Sequence, residues 1–295
     1  MKVGIDLGGS HVSIGIVDDN AKIIEQVEKD FTLEEKLDII GVAEKYIVDE
    51  VEKFKNKYEI TKIGMAIPGT VKDGVIKRSV NLKIENYDIE KSLSNKLKMK
   101  LYTKNDAKCA AIAEYRYVGL EDKKNVIFLG LGTGIGGAAF YNGILLEGTE
   151  FAGFEFGHVV IKNDGIPCNC GKRGCFEQYG SMRVFKNKIK ERLSLPDNIS
   201  GPDLRAIIAQ NNDKVIDIIE HYLSDVALGI SNLINIFEPD AIILGGGFAR
   251  YDYMFLDRLN SLILKGNLLF NKRNSIDLRV AKLGNDAGII GASLI

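Results

Sequence analysis

Two stretches of this chain repeat the same order of predicted elements, and this repeat limits the fold more than any other feature. An apolar strand at residues 2–5 ends at Asp6, and the turn Gly8-Gly9-Ser10 leads into a second strand at residues 12–17. From residue 126 a strand again leads into a glycine turn, at 132–137, then into a strand and an Asn142-Gly143 hairpin turn. Elsewhere strands alternate with helices, which is typical of α/β layers. We therefore predict an α/β protein with two similar halves.

Composition limits the class of protein. The chain has 295 residues, a net charge of -1 and 45% hydrophobic residues, which predicts a soluble globular protein of two domains. The near-neutral balance argues against a dedicated nucleic-acid or membrane-surface binder. No apolar run reaches about 18 residues, and the N-terminus lacks a signal-peptide pattern. We expect a cytoplasmic protein without nucleic-acid or membrane partners.

The spacing of apolar residues predicts the helices. Thr32 with Glu35 is a capping-box start for a long helix. Further helices are predicted at 107–117, 202–237 and 287–294, and one opens near Ala249. Strands are predicted at 62–67, 101–104, 126–131, 138–141 and 241–244. The apolar face of the first helix consists of Leu33, Leu37, Ile40, Ile47, Val51 and Phe54.

Glycine turns indicate a bound phosphate, because backbone N–H groups at such turns hold phosphate oxygens. The third turn is Gly245-Gly246-Gly247. A Walker A loop is excluded, since Arg173 follows Gly171-Lys172 and Ile166 stands where the first glycine belongs. The G-x-G-x-x-G spacing within 132–137 is followed by a strand rather than a helix, which excludes a dinucleotide fold. The three turns together predict a nucleotide site.

Four metal-ligating residues are clustered in the sequence. His158, Cys168, Cys170 and Cys175 give the pattern H-x9-C-x-C-x4-C, which fits a closed tetrahedral Zn²⁺ site of the structural kind. The fourth cysteine, Cys109, lies in an apolar helix and is predicted to be a core residue.

Three carboxylates are candidates for chemistry. Asp106 ends a strand and starts a helix, so it is either a catalytic base or a helix N-cap, and position alone does not separate the two. Glu155 lies three residues before His158, and Glu177 lies two after Cys175. A zinc knot would fix both acids where they can bind a polyhydroxylated ligand, and the alternative is solvated surface charge.

These motifs resemble the ROK family (repressors, open reading frames and kinases) over essentially the whole chain. The resemblance implies two actin-like (ribonuclease H-like) domains flanking an active-site cleft. They would comprise residues 1–118 and 119–283, with a helix at about 284–295 packing back on the first. The segments that carry the resemblance are Asp6-Leu7-Gly8-Gly9-Ser10, Pro68-Gly69, Asn81-Leu82, Asn105-Asp106-Ala107, Leu131 to Gly137, Glu155-Phe156-Gly157-His158, Cys168 to Glu177, and Leu244-Gly245-Gly246-Gly247.

The resemblance also implies roles for single residues. Asp106 would be the catalytic base, and Asp6 would lie near Mg²⁺ and the phosphates of ATP. The phosphate and adenosine positions would be Gly8, Gly9, Ser10, Gly132, Thr133, Gly134, Gly246 and Gly247. The sugar-binding positions would be Gly69, Asn81, Asn105, Asp106, Glu155, His158 and Glu177. Relatives usually form homodimers or homotetramers.

The reaction implied is ATP-dependent phosphorylation of a free hexose, with glucose to glucose 6-phosphate first. N-acetylmannosamine, N-acetylglucosamine, fructose and allose are the alternative substrates. Many relatives carry a Trp shortly after the Asn81-Leu82 pair, whereas this chain has none, so the lining of the sugar pocket differs. A sugar-sensing repressor is a second hypothesis, which the start of the first phosphate turn by residue 6 disfavours. A chaperone-type ATPase is a third, which the cysteine motif disfavours.

Overall fold

The fold was described from a computed structural model covering residues 1–117, 119–120, 122–149, 153–210, 212–265 and 276–295. It divides into two compact units. The first comprises Met1–Glu121, Glu147–Gly153 and Leu283–Ile295, and the second comprises Asp122–Leu146 and Phe154–Lys282. The predicted boundary at residue 118 lies outside the described residues. Within the described part of the chain, no helix combines the length and apolar character needed to cross a membrane.

The strands and helices have the following bounds. The strands are β1 (Lys2–Leu7), β2 (His11–Val17), β3 (Ile23–Asp30), β4 (Lys62–Ile67), β5 (Thr70–Lys72), β6 (Val75–Ser79), β7 (Ile84–Asp88), β8 (Leu101–Asn105), β9 (Val126–Leu131), β10 (Ile135–Tyr141), β11 (Ile144–Leu145), β12 (Ala241–Gly245) and β13 (Leu278–Val280). The helices are α1 (Ile39–Lys55), α2 (Ile89–Leu97), α3 (Asp106–Tyr117), α4 (Glu177–Gly180), α5 (Met182–Leu193), α6 (Gly201–Gln210), α7 (Asn212–Phe237), α8 (Asp252–Lys265) and α9 (Ala287–Leu294). Short 3-10 turns cover Glu35–Leu37, Phe156–His158, Gly246–Tyr251 and Gly284–Asp286.

The first unit is built on a sheet with the strand order β3-β2-β1-β4-β8. β1 pairs antiparallel with β2 and parallel with β4, and β4 pairs parallel with β8. β1 and β4 are almost continuously apolar, as expected for strands covered on both faces. A smaller antiparallel sheet, β5-β6-β7, follows β4 in the chain.

The predicted long helix from residue 32 is wrong at its start. Residues 23–30 form the edge strand β3, and α1 begins only at Ile39, with the Asp38 carboxylate accepting from the Gly41 N–H. The capping box does form, with Thr32 N–H to Glu35 at 2.9 Å and Glu35 N–H to Thr32 at 3.2 Å, but it closes the turn Glu35–Leu37. Leu33 and Leu37 are 87% and 84% exposed, so they fit the helical spacing without joining the core.

The predicted C-terminal helix is confirmed as α9, and it packs tightly in the first unit. A Cβ on Gly4 of β1 would collide with the Ile289 carbonyl oxygen, and one on Gly64 of β4 with that of Ala292. A Cβ on Gly291 would in turn collide with the carbonyl oxygen of Cys109 in α3. Cys109 is fully buried, as predicted for a core residue. Glycines on both sides therefore let α9 approach the sheet and α3 at backbone distance.

The second unit repeats the sheet of the first, with the order β11-β10-β9-β12-β13. β9 pairs antiparallel with β10 and parallel with β12, and β12 pairs parallel with β13. The predicted internal repeat is thus confirmed at the level of topology. Asn142 and Gly143 both have positive φ, 51° and 77°, as a tight hairpin turn between β10 and β11 requires.

Helices surround the core of the second unit. The segment predicted to be helical at 202–237 contains α6 and α7, and α5 precedes them. The helix predicted near Ala249 starts as the turn Gly246–Tyr251 and becomes α8 at Asp252. Aromatic rings fill the space between α5, α7 and α8, where Phe185 lies 5.3 Å from Phe255.

Candidate active site

The carboxyl ends of three parallel strands carry the polar residues of the first unit. Asp6 of β1 lies opposite Ala66 of β4, and Ile67 of β4 lies opposite Asn105 of β8. Parallel strands present their carboxyl ends at the same edge of a sheet, which is where α/β proteins place ligands. The sheet therefore brings Asp6, Asn105 and Asp106 to one edge.

Asn105 holds Asp106 in place. Its side-chain Nδ2 donates to the Gly69 carbonyl at 3.0 Å and to Asp106 Oδ1 at 2.9 Å. Its Oδ1 accepts from the Lys108 N–H at 3.2 Å, which is the N-cap bond of α3. The N-cap bond is thus accepted by Asn105, three residues before Lys108, and not by Asp106. Asp106 Oδ1 instead accepts from the adjacent Ala107 N–H at 2.8 Å. An amide nitrogen has only two hydrogens, so Asn105 has none left to donate to a ligand.

The carboxylate of Asp6 lies near that of Asp106, and the negative charge of Asp106 affects the pKa of Asp6. Burial raises the pKa of Asp6 to about 6, repulsion from Asp106 adds to the rise, and His11 opposes it. The Asp6 carboxylate also packs against α9, since a Cβ on Gly288 would collide with it. The first unit thus keeps two carboxylates near one another, an arrangement that favours a cation or a shared proton.

The first glycine turn is packed against the residue pair that follows β6. A Cβ on Gly9 would lie 3.0 Å from the Asn81 carbonyl oxygen. Within the turn, the Gly8 N–H donates to the His11 carbonyl at 2.9 Å. The Ser10 hydroxyl lies 3.1 Å from His11 Nδ1. His11 was not singled out from the sequence, although its place directly after the glycine turn was a usable signal.

The second unit brings its two glycine turns together. The Gly132 N–H bonds the Gly134 carbonyl at 2.9 Å, which closes the turn after β9. Gly246 has φ of +68°, and a Cβ there would lie 2.8 Å from the Leu131 carbonyl oxygen. Arg183 of α5, another residue not singled out from the sequence, donates from Nε to the Thr133 carbonyl at 3.1 Å.

Glu177 is bonded to the same turn. Its Oε2 accepts from the Ile135 N–H at 2.9 Å, and a Cβ on Gly134 would collide with that oxygen. Ile135 is also contacted from the other motif, because a Cβ on Gly157 would collide with its carbonyl oxygen. The start of β10 is therefore held between the Glu155–His158 segment and the first residue of α4.

The four predicted metal ligands converge. His158, Cys168, Cys170 and Cys175 each offer a ligand atom, and these atoms lie within 4.8 Å of one another. His158 Nδ1 is 3.6 Å from Cys168 Sγ, and Cys170 Sγ is 3.5 Å from Cys175 Sγ. Three thiol groups and one imidazole at this spacing could hold one metal ion with a tetrahedral shell.

Comparison with known proteins decides the family. The sequence profile of the ROK family matches residues 2–295. The chain belongs to the ROK family. This ROK protein is 28% identical over 312 residues to the glucokinase of Streptomyces coelicolor, an alignment covering 99% of this chain and 96% of the relative. It is 24% identical over 301 residues to the xylose repressor of Bacillus subtilis, covering 99% of this chain and 76% of the repressor.

A solved structure supports the same grouping. The ROK family glucokinase from Streptomyces griseus, crystallised with glucose and AMPPNP, matches this ROK protein with a TM-score of 0.81. The two are 26% identical, and the match covers 99% of this chain and 97% of that chain. The predicted fold class, α/β with two actin-like domains, is confirmed.

The predicted positions of the ROK protein fall into local groups. In the first unit, Asp6, Gly69, Asn105 and Asp106 form one group, and Gly9 packs on Asn81. In the second unit, Glu177 adjoins Gly134, and Gly246 adjoins Gly132. Glu155 is exposed and directly precedes the turn Phe156–His158.

Proposed function

We propose that this ROK-family sugar kinase transfers the γ-phosphoryl group of ATP to glucose and forms glucose 6-phosphate. Similarity to glucokinases over nearly the full length of both proteins supports the choice of sugar. N-acetylmannosamine, N-acetylglucosamine, fructose and allose remain the competing acceptors. Homodimers or homotetramers are proposed for the assembly.

Asp106 is the proposed catalytic base, and the hydrogen bonds that fix its carboxylate are the main support for this proposal. Phosphoryl transfer to an alcohol needs a carboxylate that accepts the hydroxyl proton. Asn105 provides the N-cap bond of α3 and also donates to Asp106 Oδ1, so the carboxylate is oriented by an amide that is itself fixed to Gly69. A base on a rigid support loses little free energy to reorientation during the reaction.

Asp6 is the proposed neighbour of the Mg²⁺-phosphate group. The residues fit a divalent cation, because burial first and repulsion from Asp106 second raise the pKa of Asp6, and a bound cation would offset the cost of both negative charges. Bound Mg²⁺ would neutralise charge on the phosphates of ATP. Asp6 would orient the phosphate chain, and the N–H groups of Gly8, Gly9 and Ser10 would bind its oxygens.

The second unit supplies further proposed contacts to ATP. Gly132, Thr133 and Gly134 form a turn that is held by Arg183, at the Thr133 carbonyl, and by Glu177, at the Ile135 N–H, which suits a rigid phosphate-binding loop. Gly246 lies against Leu131 and Gly132 at the start of this turn, and Gly246 and Gly247 are proposed to contact the adenosine.

The proposed sugar contacts are Gly69, Asn81, Asn105, Asp106, Glu155, His158 and Glu177. The hydrogen bonds already described limit two of them. Asn105 keeps only acceptor capacity for a sugar hydroxyl, and Glu177 Oε2 already accepts from Ile135. Asn105 would therefore act on a sugar hydroxyl only as an acceptor, whereas Glu177 keeps its second carboxylate oxygen, Oε1, as an acceptor for the sugar.

Zn²⁺ is the proposed metal of the cysteine cluster, where it would have a structural role. Metal analysis should find about one zinc per chain. Cys168→Ser should lose the metal, whereas Cys109→Ala should keep it, because Cys109 lies in the core of the other unit. Full zinc content in Cys168→Ser would contradict the assignment.

The deciding experiment measures sugar-stimulated ADP release with Mg-ATP across hexoses and N-acetylhexosamines. Glucose should give the largest kcat/KM, with the phosphate on the 6-hydroxyl by NMR. A different sugar standing out would keep the kinase and replace the substrate. No stimulation by any sugar, from folded and zinc-loaded protein, would contradict the proposed reaction.

A further inference from the structure

The histidine that follows the first glycine turn shares a face of the sheet with two carboxylates of the neighbouring strand. His11 begins β2 and lies opposite Asp30 of β3, and Ser13 lies opposite Glu28. Residues directly opposite each other in an antiparallel pair project from the same face of a sheet. His11, Glu28 and Asp30, called here the β2–β3 cluster, therefore lie on one face, at the edge of the sheet.

The geometry of the β2–β3 cluster suits a metal ion. Its three residues each offer one ligand atom, and these atoms lie within 4.8 Å of one another. Metal–ligand bonds of about 2.1 Å place ligand atoms about 3–4 Å apart, and the exposed side chains of Glu28 and Asp30 can close that difference by changing rotamer. The Ser10 hydroxyl lies 3.1 Å from His11 Nδ1. A hydrogen bond at one ring nitrogen commonly accompanies metal ligation through the other.

The two carboxylates of the β2–β3 cluster lack a cationic partner. Lys29, which stands between them in β3, pairs instead with Glu35 at 2.7 Å. Within the described part of the chain, neither Glu28 nor Asp30 forms an ion pair with a lysine or an arginine. Two neighbouring negative charges repel each other, and a bound divalent cation would remove that repulsion.

Ser13 provides a second, independent observation. It is only 5% exposed, and it lies opposite Asp6 of β1 on one side and Glu28 of β3 on the other. Among the described residues, its hydroxyl has no hydrogen-bond partner. A nearly buried hydroxyl without a partner costs free energy. This unused polar group lies on the same face as the β2–β3 cluster, where a water molecule on a bound metal ion would be a partner for it.

We propose that the β2–β3 cluster binds one divalent transition-metal ion of the Mn²⁺ type. One imidazole and two carboxylates are ligands that first-row transition metals accept, whereas Mg²⁺ is bound by oxygen ligands. Water molecules would complete the coordination shell. The bound ion would fix the start of β2, directly after the first glycine turn, to the edge strand β3.

This site is separate from both metals proposed above. The cysteine motif lies in the second unit, whereas the β2–β3 cluster lies in the first. Asp6 is a neighbour, since the charge of His11 lowers the pKa of Asp6. The Asp6 carboxylate nevertheless packs against Gly288 of α9 and is not among the three groups whose ligand atoms converge. The β2–β3 cluster would therefore hold its ion without ATP.

The test is a titration of the full chain with Mn²⁺, without nucleotide or sugar, in which electron paramagnetic resonance measures the free ion. Mn²⁺ prefers carboxylate ligands, so the thiols of the cysteine motif do not compete. The unaltered chain should bind about one ion. His11→Gln and Asp30→Asn should each weaken binding about tenfold or more. Asp49→Asn is the matched control and should leave binding unchanged, because α1 packs on the opposite face of the sheet.

Two further results locate the ion. Electron spin-echo spectroscopy should show bound Mn²⁺ coupled to an imidazole nitrogen, and His11→Gln should lose this coupling. Asp106→Asn should bind Mn²⁺ as tightly as the unaltered chain. Loss of binding in Asp106→Asn with full binding in Asp30→Asn would place the ion beside Asp6 and overturn the proposal, as would no binding at all or equal weakening in every variant. Because no readout uses ATP or a sugar, this site and the proposed kinase reaction are tested independently.

Discussion

The Glu177 carboxylate accepts a hydrogen bond from the backbone N–H of Ile135 at 2.9 Å, directly after the glycine turn of the second unit. Glu177 stands two residues after Cys175, the last cysteine of the proposed metal site. The segment with the proposed metal ligands and the proposed phosphate turn are therefore joined by one side chain, and this link can be tested on its own.

Glu177→Ala removes this charge-assisted bond and should loosen the turn at Gly132–Gly134. We expect a rise in KM for ATP, and a loss of about 1.5–3 kcal/mol in stability. Glu177→Gln keeps a neutral acceptor and should lie between. Steady-state kinetics in both substrates and urea unfolding provide the measurements. Glu191→Ala, an exposed change on α5, is the control. If KM rises for the sugar alone, Glu177 contacts the sugar and does not position the turn.

Asp6→Asn should stabilise the ligand-free protein at neutral pH. The pKa of Asp6, about 6, is above its ordinary value of 3.8, so the folded protein binds its proton more tightly than the unfolded chain. Stability therefore falls as pH rises from about 4 to 6 and then stays low, by about 1–3 kcal/mol for this group. Asp6→Asn should recover that amount at pH 7 and lose the pH dependence.

Urea unfolding from pH 4.5 to 7.5, at about half-unit steps, measures this effect. Asp49→Asn, an exposed change on α1, is the matched control and should follow the unaltered chain. Equal or lower stability of Asp6→Asn at pH 7 would show that the Asp6 carboxylate has compensating contacts in the folded protein.

Asp106→Asn should lower kcat by about 10²–10⁴-fold while the sugar still binds, because only the proton acceptor is lost. It should also lower the pKa of Asp6, since it removes the neighbouring charge. Asp88→Asn makes the same substitution at the N-cap of α2 and should leave kcat nearly unchanged, because asparagine caps helices as well as aspartate does. Full turnover in Asp106→Asn would remove Asp106 from the proposed role.

Substitution by alanine should affect stability at Gly291 and ATP binding at Gly132. Gly291→Ala brings a methyl group into the Cys109 carbonyl and should destabilise the protein by about 1–3 kcal/mol or more. Gly132→Ala meets no atom within 4 Å, so stability should change by less than about 0.5 kcal/mol. Its methyl group should instead weaken ATP binding. Thermal unfolding and nucleotide titration separate the two effects, and a strongly destabilised Gly132→Ala would contradict this account.

The parts of the fold that the sequence predicts well are those with a local signal. We could predict the apolar strands β4 and β12 and the small-residue helix α9, because nearly every residue in each of them is buried and apolar or small. The four candidate metal ligands could be predicted because they lie within one short segment of the chain. Strand β3 could not be predicted, because this edge strand carries charged residues on its exposed face. The exposed Leu33 and Leu37 also have the spacing of an apolar helix face, although neither joins the core.

The hydrogen-bonding role of each residue within the site could not be predicted from the sequence. Whether Asn105 or Asp106 provides the N-cap bond of α3 depends on a bond to Gly69, thirty-six positions away in the chain. The role of Glu177 likewise depends on Ile135, forty-two positions away. Hydrogen bonds of this range are set by tertiary packing, and no periodicity or spacing contains them.

The position of α9 has a consequence for biosynthesis. The unit that contains the first residues also contains Leu283–Ile295, whereas the other unit is encoded entirely between them. Strands β1 and β4 leave the ribosome before the whole second unit, whereas the helix that covers Gly4 and Gly64 follows that unit. The first unit is therefore completed only after the second unit has been synthesised, and a nascent chain must keep that apolar sheet protected until α9 has emerged.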